Sequence, residues 1–238
     1  MISTNVLINT NPNPPSRDIN IKANPCGCKG DFTVIEQLRV GLDNFCYVIY
    51  CSLQKKAAVV DPGFDATKSL HFLAANHLLL EYVILTHYHS DHSAETKQLK
   101  MVVSSCKIVA SQEDGRRLPV KPDVTISDGS QLKIGSVVLS FLLTPGHTPG
   151  GICIIVDKKA LLTGDTLFIG DCGRTDLPGG SLETMFQTLQ KKIMSLPDDL
   201  IVFPGHDYGE KPFDSLGNQK RTNKTLRART LQEFSKIP

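Results

Sequence analysis

Five apolar stretches of the chain stop at a histidine or an aspartate, and glycine or proline flanks most of these stops. Glycine and proline let the backbone turn sharply, and loops at strand ends are where a rigid scaffold presents functional groups. We therefore expect a fold of short strands whose ends gather polar side chains. The stretches are V-V-D-P-G (59–63), L-T-H-Y-H-S-D-H (85–92), L-T-P-G-H (143–147), L-T-G-D (162–165) and F-P-G-H-D (203–207).

The strand-like segments come in two batches, and each batch is flanked by helical segments. The segment N-F-C-Y-V-I-Y-C (44–51) is apolar almost throughout, which predicts burial on both faces of a sheet. Two batches of strands with helices outside predict an α/β protein, an αββα sandwich of two mixed sheets. The predicted strands are 31–40, 45–51, 56–61, 82–86, 107–110, 137–144, 151–157, 160–165 and 200–204.

Helical periodicity marks further segments. One stripe joins residues 70, 73, 74 and 78, and a longer amphipathic helix runs over 182–196 with Ser181 as its N-cap. Near the end of the chain, Thr230 and Glu233 fit a capping box. Residues 1–30 are rich in Asn and Pro and predict an irregular arm, which leaves 31–238 as a single domain with a short helical tail.

Composition excludes several classes of protein. The net charge of +2 argues against a nucleic-acid partner. The sequence contains no run of about 18 apolar residues, so no membrane span is predicted. The seven cysteines are odd in number and scattered, which favours reduced thiols over a disulfide framework. The close pair Cys26 and Cys28 is interpreted as incidental to a turn. With no signal-like start, the sequence predicts a cytoplasmic location.

Histidines are concentrated in one place. His87, His89 and His92 fall within six residues, and His147 and His206 stand at other strand ends, whereas the remaining two of the seven lie on a predicted helix. Imidazole and carboxylate ligands without cysteine suit zinc, iron or manganese. Five histidines together with two aspartates exceed one tetrahedral shell and fit two metal ions.

The pattern H-x-H-x-D-H, followed by G-H, G-D and P-G-H, resembles the metallo-β-lactamase superfamily over residues 31–210. The resemblance implies that fold and two divalent ions, with zinc the first expectation. It also implies that Asp61 supports the ligand loop. The implied ligands are His87, His89 and His147 for one ion, Asp91, His92 and His206 for the other, and Asp165 as a bridge.

Such a site implies a metal-dependent hydrolase that uses a metal-bridging hydroxide. Asp91 and Asp165 are the predicted catalytic carboxylates, because they could orient that hydroxide and manage its proton. A β-lactamase or a nuclease remains a weaker alternative.

The segment G-D-T-L-F-I-G-D-C-G-R-T-D (164–176) resembles glyoxalase II, the hydroxyacylglutathione hydrolases. It also resembles the persulfide dioxygenases, together with P-G-H-D-Y (204–208). The first resemblance implies a thioesterase acting on S-acylglutathione, and the second implies one iron for oxidation of glutathione persulfide. That iron would be held by His87, His147 and Asp165. Gly170 departs from the basic residue usual in the dioxygenases, and the 32 residues after position 206 are fewer than glyoxalase II has.

Three residues are predicted to bind a small-molecule thioester or glutathione-derived substrate. Arg174 suits a carboxylate, with an ion pair to Asp176 or Asp171 as the equal alternative. Cys172 could touch the substrate sulfur, although a buried thiol is favoured. Tyr208 could offer its hydroxyl to the substrate or pack as an aromatic side chain. The basic tail is interpreted as a solvated face, and a homodimer is left open.

Overall fold

Two β-sheets lie face to face, and helices cover the outer face of each. The computed structural model of the protein describes residues 7–8, 17–20 and 32–237. The strands of the eight-stranded sheet are Leu7–Ile8 (β1), Arg17–Asn20 (β2), Thr33–Val40 (β3), Asn44–Cys51 (β4), Lys56–Val60 (β5), Leu79–Ile84 (β6), Lys107–Ser111 (β7) and Val124–Ile126 (β8). The strands of the six-stranded sheet are Gln131–Ile134 (β9), Val137–Leu143 (β10), Ile152–Val156 (β11), Ala160–Gly164 (β12), Ile201–Pro204 (β13) and Asp214–Ser215 (β14).

The helices are short, and most of them connect strands. They are Ala66–Ala75 (α1), Ser90–Ser93 (α2), Thr96–Val102 (α3), Gln112–Gly115 (α4), Leu182–Thr188 (α5), Leu216–Thr222 (α6), Lys224–Arg227 (α7) and Leu231–Phe234 (α8). A π-helical turn, Leu189–Ile193, extends α5. Among the described residues, no helix is long and apolar enough to span a membrane.

Both sheets are mixed, as the sequence predicted. Neighbouring strands from β1 to β5 are antiparallel, whereas β5 to β8 run parallel. In the other sheet only the pair β12 and β13 is parallel. Parallel neighbours need a crossover connection, and α1 and α5 lie in two of these crossovers. Strands that cross over in this way end at the same edge of their sheet, which is where the predicted ligands stand.

The core is layered. Side chains of both sheets, such as Ile49 and Phe141, meet in a central cluster. Val48, on the opposite face of β4, packs with the side chains of α1 and α3. The outer face of the second sheet packs against α5, and against Leu226 and Phe234 from the end of the chain. The αββα prediction and the burial of β4 on both faces are therefore confirmed.

The nine predicted strands are all present, but some details differ from the predictions. Ala74 is exposed, so the buried stripe of α1 is narrower than the periodicity suggested. Leu78 lies beyond α1, because the helix ends at Ala75 and Asn76 is its C-cap. The helix predicted over 182–196 is shorter in the structure: its helical residues end at Ile193, the last residue of the π-helical turn. The Ser181 N-cap is confirmed: its hydroxyl accepts from the Thr184 N–H.

The capping box is only half formed. Thr230 Oγ1 accepts from the Glu233 N–H (3.1 Å), but the Glu233 carboxylate accepts from the Arg229 N–H (2.7 Å) instead of the Thr230 N–H. The irregular arm predicted for 1–30 lies mostly outside the described residues, as do Cys26 and Cys28. Where the structure describes that arm, residues 7–8 and 17–20 form strands, because β2 pairs with the free edge of β3. The boundary between arm and domain stays a prediction.

Candidate metal centre

The ends of strands from both sheets converge on one point. Backbone hydrogen bonds join the sheets beside it: Ile152 N donates to Thr86 O (2.9 Å), and Phe45 N donates to Gly205 O (2.8 Å). These bonds bring together side chains that are far apart in the sequence. The converging positions are Asp61 after β5, His87 after β6, His147 after β10, Asp165 after β12 and His206 after β13.

The first ligand group consists of His87, His89 and His147, and one ligand atom from each lies within 4.8 Å of the others. His147 Nε2 lies 2.9 Å from His89 Nδ1. The other ring nitrogen, His147 Nδ1, donates to the Arg174 carbonyl (2.7 Å), so Nε2 presents a lone pair to the group. His87 Nε2 is buried, and no hydrogen-bond partner for it is found among the described residues.

The second ligand group consists of Asp91, His92 and His206, which meet the same 4.8 Å limit. Asp91 and His92 lie on the short helix α2, whereas His206 follows the short strand β13. His206 Nε2 lies 3.2 Å from His92 Nε2 and 3.4 Å from Asp91 Oδ2.

Asp165 lies between the two groups and is only 8% exposed. Its Oδ2 is 3.5 Å from His147 Nε2 and 3.4 Å from His206 Nε2. Its Oδ1 is 3.3 Å from His92 Nε2, but not in hydrogen-bonding geometry, so that buried oxygen stays unsatisfied. The sequence predicted this residue as the bridge, and the structure places it within reach of both groups.

These donors fit divalent cations. A buried imidazole nitrogen and a buried carboxylate oxygen without partners are costly unless a cation completes them. Several imidazole nitrogens also point at each other within about hydrogen-bond distance, which is the arrangement that a shared cation requires. The donor set of imidazole and carboxylate suits zinc, iron or manganese. Two sets of residues could hold such ions. The first is the three histidines with Asp165, and the second is Asp91, His92 and His206 with the same Asp165.

Asp61 supports the ligand loop through its carboxylate. Its carboxylate accepts from Thr86 N (2.8 Å) and Thr86 Oγ1 (2.6 Å), and it lies 3.0 Å from His92 Nδ1. A hydrogen bond from His92 Nδ1 leaves Nε2 directed at the second group, as is usual for a ligand histidine. Asp61 holds a φ of +51°, which aspartate tolerates better than most residues.

The turn between β3 and β4 contributes two residues that the sequence analysis missed. Asp43 Oδ1 lies 3.3 Å from His206 Nδ1, and Asn44 Nδ2 donates to Asp91 Oδ2 (3.1 Å). Residue 44 also forms an isolated β-bridge with His206. The only signal in the sequence was the turn G-L-D-N (41–44), which looks like an ordinary hairpin.

Electrostatics differ between the two groups. Burial lowers the pKa of His87 far below its usual value, and burial together with His147 lowers that of His89 to about 4. Burial also opposes charge on His92, but Asp165 and Asp61 outweigh it and raise the pKa of His92 to about 9. Likewise the carboxylates beside His206 raise its pKa to about 10.

The carboxylates show the opposite shift. Burial opposes their charge, but His206 and His92 outweigh it and hold the pKa of both Asp91 and Asp165 below the usual range. At neutral pH the metal-free centre therefore combines neutral His87 and His89 with a charged network in the second group.

Metal binding to the second group is therefore expected to release protons. With pKa values of about 9 and 10, His92 and His206 hold at least one proton between them at pH 7, and a proton on either facing Nε2 must leave before that nitrogen becomes a ligand. We expect the release of up to two protons, and an affinity that rises with pH until these values are passed. Calorimetric titration of metal-free protein with Zn²⁺, in buffers of different ionisation enthalpy, measures the number. His206→Gln should release one proton fewer, and buffer-independent heats would contradict the charge pattern.

Asp114, at the third position of α4, ties the two ligand loops of the first group together. The residue is 1% exposed, and its Oδ1 accepts from Gly150 N (2.7 Å). Its Oδ2 accepts from Thr148 Oγ1 (2.6 Å) and Tyr88 N (3.2 Å). Tyr88 stands between two ligand histidines and Thr148 follows another, so one carboxylate fixes the spacing of both loops. No motif in the sequence marks Asp114 as functional.

We expect Asp114→Asn to weaken metal binding at the first group about 10- to 100-fold, while the second group keeps its affinity. An amide offers one acceptor, so either Gly150 N or Tyr88 N would face an NH₂ group and lose its partner. Titration with Co²⁺, followed by absorbance, reports the two affinities. The control is Asp123→Asn, because Asp123 also accepts from a backbone N–H (Ile108, 2.8 Å) but lies outside both groups. Equal weakening of both groups would contradict this role.

The predicted substrate residues lie beside the ligands. Arg174, Cys172 and Tyr208 line a cavity of about 400 Å³, together with residues of both groups. The Arg174 guanidinium donates twice to Asp176 (2.7 Å each), which is the alternative that the sequence left open. Burial raises the pKa of the Cys172 thiol to about 12, so it is protonated. The Tyr208 ring stacks on His206 (4.7 Å between centroids).

The comparison with known proteins agrees with this geometry. The family model described as the metallo-beta-lactamase superfamily matches residues 39–206, which include every candidate ligand. The chain belongs to the metallo-β-lactamase superfamily. It is accordingly an enzyme of a metal-binding superfamily whose members share this fold, and the resemblance seen in the sequence is confirmed.

Relatives within the superfamily carry different activities. The chain is 34% identical to hydroxyacylglutathione hydrolase of Rhodospirillum rubrum, over 83% of this chain and 75% of that protein. It is 30% identical to the persulfide dioxygenase ETHE1 of Homo sapiens, over 81% of this chain and 75% of that protein. The crystal structure of ETHE1 from Myxococcus xanthus superposes with a TM-score of 0.78 and 28% identity, covering 85% of this chain and 88% of that one. Fold alone does not decide between the two activities.

Proposed function

We propose that the protein hydrolyses thioesters of the S-acylglutathione type at a centre of two divalent cations, with zinc as the expected metal. The single observation that carries this proposal is the position of Asp165 between two complete ligand groups. Both groups border the same cavity. The hydroxyacylglutathione hydrolase among the relatives supports this choice of substrate.

Divalent cations held by these groups would lower the pKa of water and polarise a carbonyl oxygen. The protein's own contribution is orientation. Asp91 Oδ2 and Asp165 Oδ2 each lie 3.4 Å from His206 Nε2. Because the pKa of both carboxylates is depressed, they are charged at neutral pH and accept hydrogen bonds from the attacking water. These two aspartates therefore aim the water at a thioester carbon in the cavity.

Tyr208 is the proposed donor to the substrate. Burial and the nearby Asp43 raise the pKa of its hydroxyl to about 12, so it carries a proton at neutral pH. The ring is fixed between His206, on which it stacks, and Phe168, whose centroid lies 5.1 Å away. A phenol held there can donate to the carbonyl oxygen or to the leaving sulfur.

The second candidate function is oxidation of glutathione persulfide at a single iron. It is favoured by the persulfide dioxygenase among the relatives and by the ligands His87, His147 and Asp165. Two histidines and one carboxylate with open positions are the arrangement of non-haem iron oxygenases. The two-ion proposal is preferred because the second group offers a further set of ligands for a cation.

One experiment separates the two functions. Metal content per chain is measured on purified protein, and S-lactoylglutathione cleavage is assayed beside oxygen uptake with glutathione persulfide. Two metal ions per chain with thioester cleavage is the expected result. A single iron with oxygen uptake, and no thioester cleavage, would overturn the proposal in favour of the dioxygenase.

A further inference from the structure

Part of the active-site cavity is lined by apolar side chains, here called the apolar wall. It is built from Phe168 after β12, Leu182 in the first turn of α5, Phe234 of α8 and Ile237. Phe234 is only 2% exposed, and its ring centroid lies 5.6 Å from that of Phe186. Because close-packed side chains keep their positions, the apolar wall is a preformed surface of the cavity.

The charges around this wall are already neutralised. Among the described residues that line the cavity, Arg174 is the one Lys or Arg side chain, and Asp176 engages it with two hydrogen bonds. Asp171 brings a carboxylate to the same wall, and its partner is Lys224 (2.7 Å). A carboxylate of the substrate would therefore have to compete with Asp176 for the Arg174 guanidinium, and burying it without a cation would be costly.

We propose that this cavity binds the acyl chain of the substrate, and that the chain is a hydrocarbon. The inference rests on the proposed thioesterase function. Glutathione ends in carboxylates, and these belong in water outside the cavity. The acyl chain is the part of a thioester that can end against apolar side chains, and 400 Å³ lies within the range of small-ligand pockets.

The orientation of the substrate follows from this assignment. Ligand-group residues and apolar residues line the same cavity: His89, His147 and Asp165 belong to the first set, and Leu182 and Phe234 belong to the second. A thioester whose carbonyl lies beside the ligand groups places its acyl chain toward Leu182 and Phe234. Its sulfur then points out of the cavity, so a large thiol carrier is accommodated in solvent.

A chain-length series tests the inference. Acetyl, butyryl, hexanoyl and octanoyl thioesters of glutathione are compared with S-lactoylglutathione on the metal-loaded enzyme. Burying one more methylene of the acyl chain strengthens binding about threefold to fourfold. We therefore expect kcat/KM to rise by roughly that factor per added methylene until the cavity is full. Butyrylglutathione should also be cleaved faster than lactoylglutathione, because its longer hydrocarbon chain reaches farther along the apolar side chains.

Substitutions on the wall give an independent measure. Leu182 is half-buried, and Leu182→Ser should reduce kcat/KM for the octanoyl thioester about tenfold more than for the acetyl thioester. Leu177→Ser, at another half-buried lining residue, is the second variant if the first does not fold. The matched control is Leu231→Ser on α8, where the leucine is 37% exposed and does not line the cavity. That control should retain the wild-type dependence on chain length.

The outcomes separate this inference from the function on which it rests. Cleavage of all thioesters at rates independent of chain length would overturn the acyl-chain assignment and leave the thioesterase intact. A loss of activity with increasing length would also overturn it, since the cavity would then exclude the chain. No cleavage of any thioester, with oxygen uptake on persulfide, would overturn both proposals.

Discussion

Asp165→Asn is expected to remove most of the activity, about a thousandfold in kcat/KM. The substitution keeps the shape of the side chain but removes the negative charge that lies within 3.5 Å of His92, His147 and His206. Both ligand groups lose their shared oxygen ligand, and the amide would present a donor to nitrogen atoms that must themselves face a cation. Metal polarisation is worth several kcal/mol, which corresponds to about this loss of rate.

Metal analysis by mass spectrometry and steady-state kinetics check this prediction together. We expect fewer than two ions per chain in the variant, and a fall in the pKa of His92 and His206, because Asp165 is among the charges that raise it. Asp198→Asn is the matched control, since that carboxylate is exposed and pairs only with Lys220 (2.6 Å). Wild-type turnover with a full metal complement in Asp165→Asn would refute the bridging role.

Gly205→Ala is expected to lower activity about a hundredfold without changing any polar group. A Cβ at this position would collide with Asp165 Oδ1 and lie 2.9 Å from His92 Cε1. The backbone at Gly205 has no positive φ, so the constraint is space alone. Because Asp165 and His92 belong to the centre, the added methyl group must displace them, and an error of about 1 Å in such groups can cost that much rate.

The control for Gly205→Ala is Gly217→Ala. A Cβ there would lie 2.9 Å from Asp198 Cβ, so the crowding is similar, but no candidate ligand is close. Both variants should lose stability, by about 1–3 kcal/mol as for other overpacked sites, measured by thermal unfolding of metal-free protein. Only Gly205→Ala should lose metal affinity. Equal metal affinity in the two variants would show that position 205 tolerates a side chain.

The layers of the fold were predictable because they depend on local pattern. Segment 44–51 is apolar on both faces, and a strand with that pattern must be covered on both sides. The short strands β1, β2, β8, β9 and β14 were not predicted, since two to four residues carry little periodicity and their pairing is decided by the neighbouring strand edge. Local pattern also overestimated the helix at 182–196, whose end is set by packing.

The candidate ligands were readable because each stands where a strand stops beside a turn residue. Residues that hold the ligands in place were harder to find. Asp114 and Asn44 look like ordinary loop residues in the sequence, and their importance comes from contacts 26 and 47 positions away. The same holds for Arg174, whose backbone carbonyl fixes His147 while its side chain faces Asp176.

By itself the sequence determined the type of fold, the superfamily and the identity of the candidate ligands. The fold type and the metal-binding chemistry need only the order of apolar and polar residues and the chemistry of the side chains, whereas the superfamily was inferred from the resemblance of H-x-H-x-D-H and its downstream motifs. Only the tertiary structure decided the distances between the ligand atoms, how close Asp165 lies to each group, and that apolar side chains line part of the cavity. Distances between residues far apart in the chain depend on how the two sheets pack, and packing is a property of the whole fold.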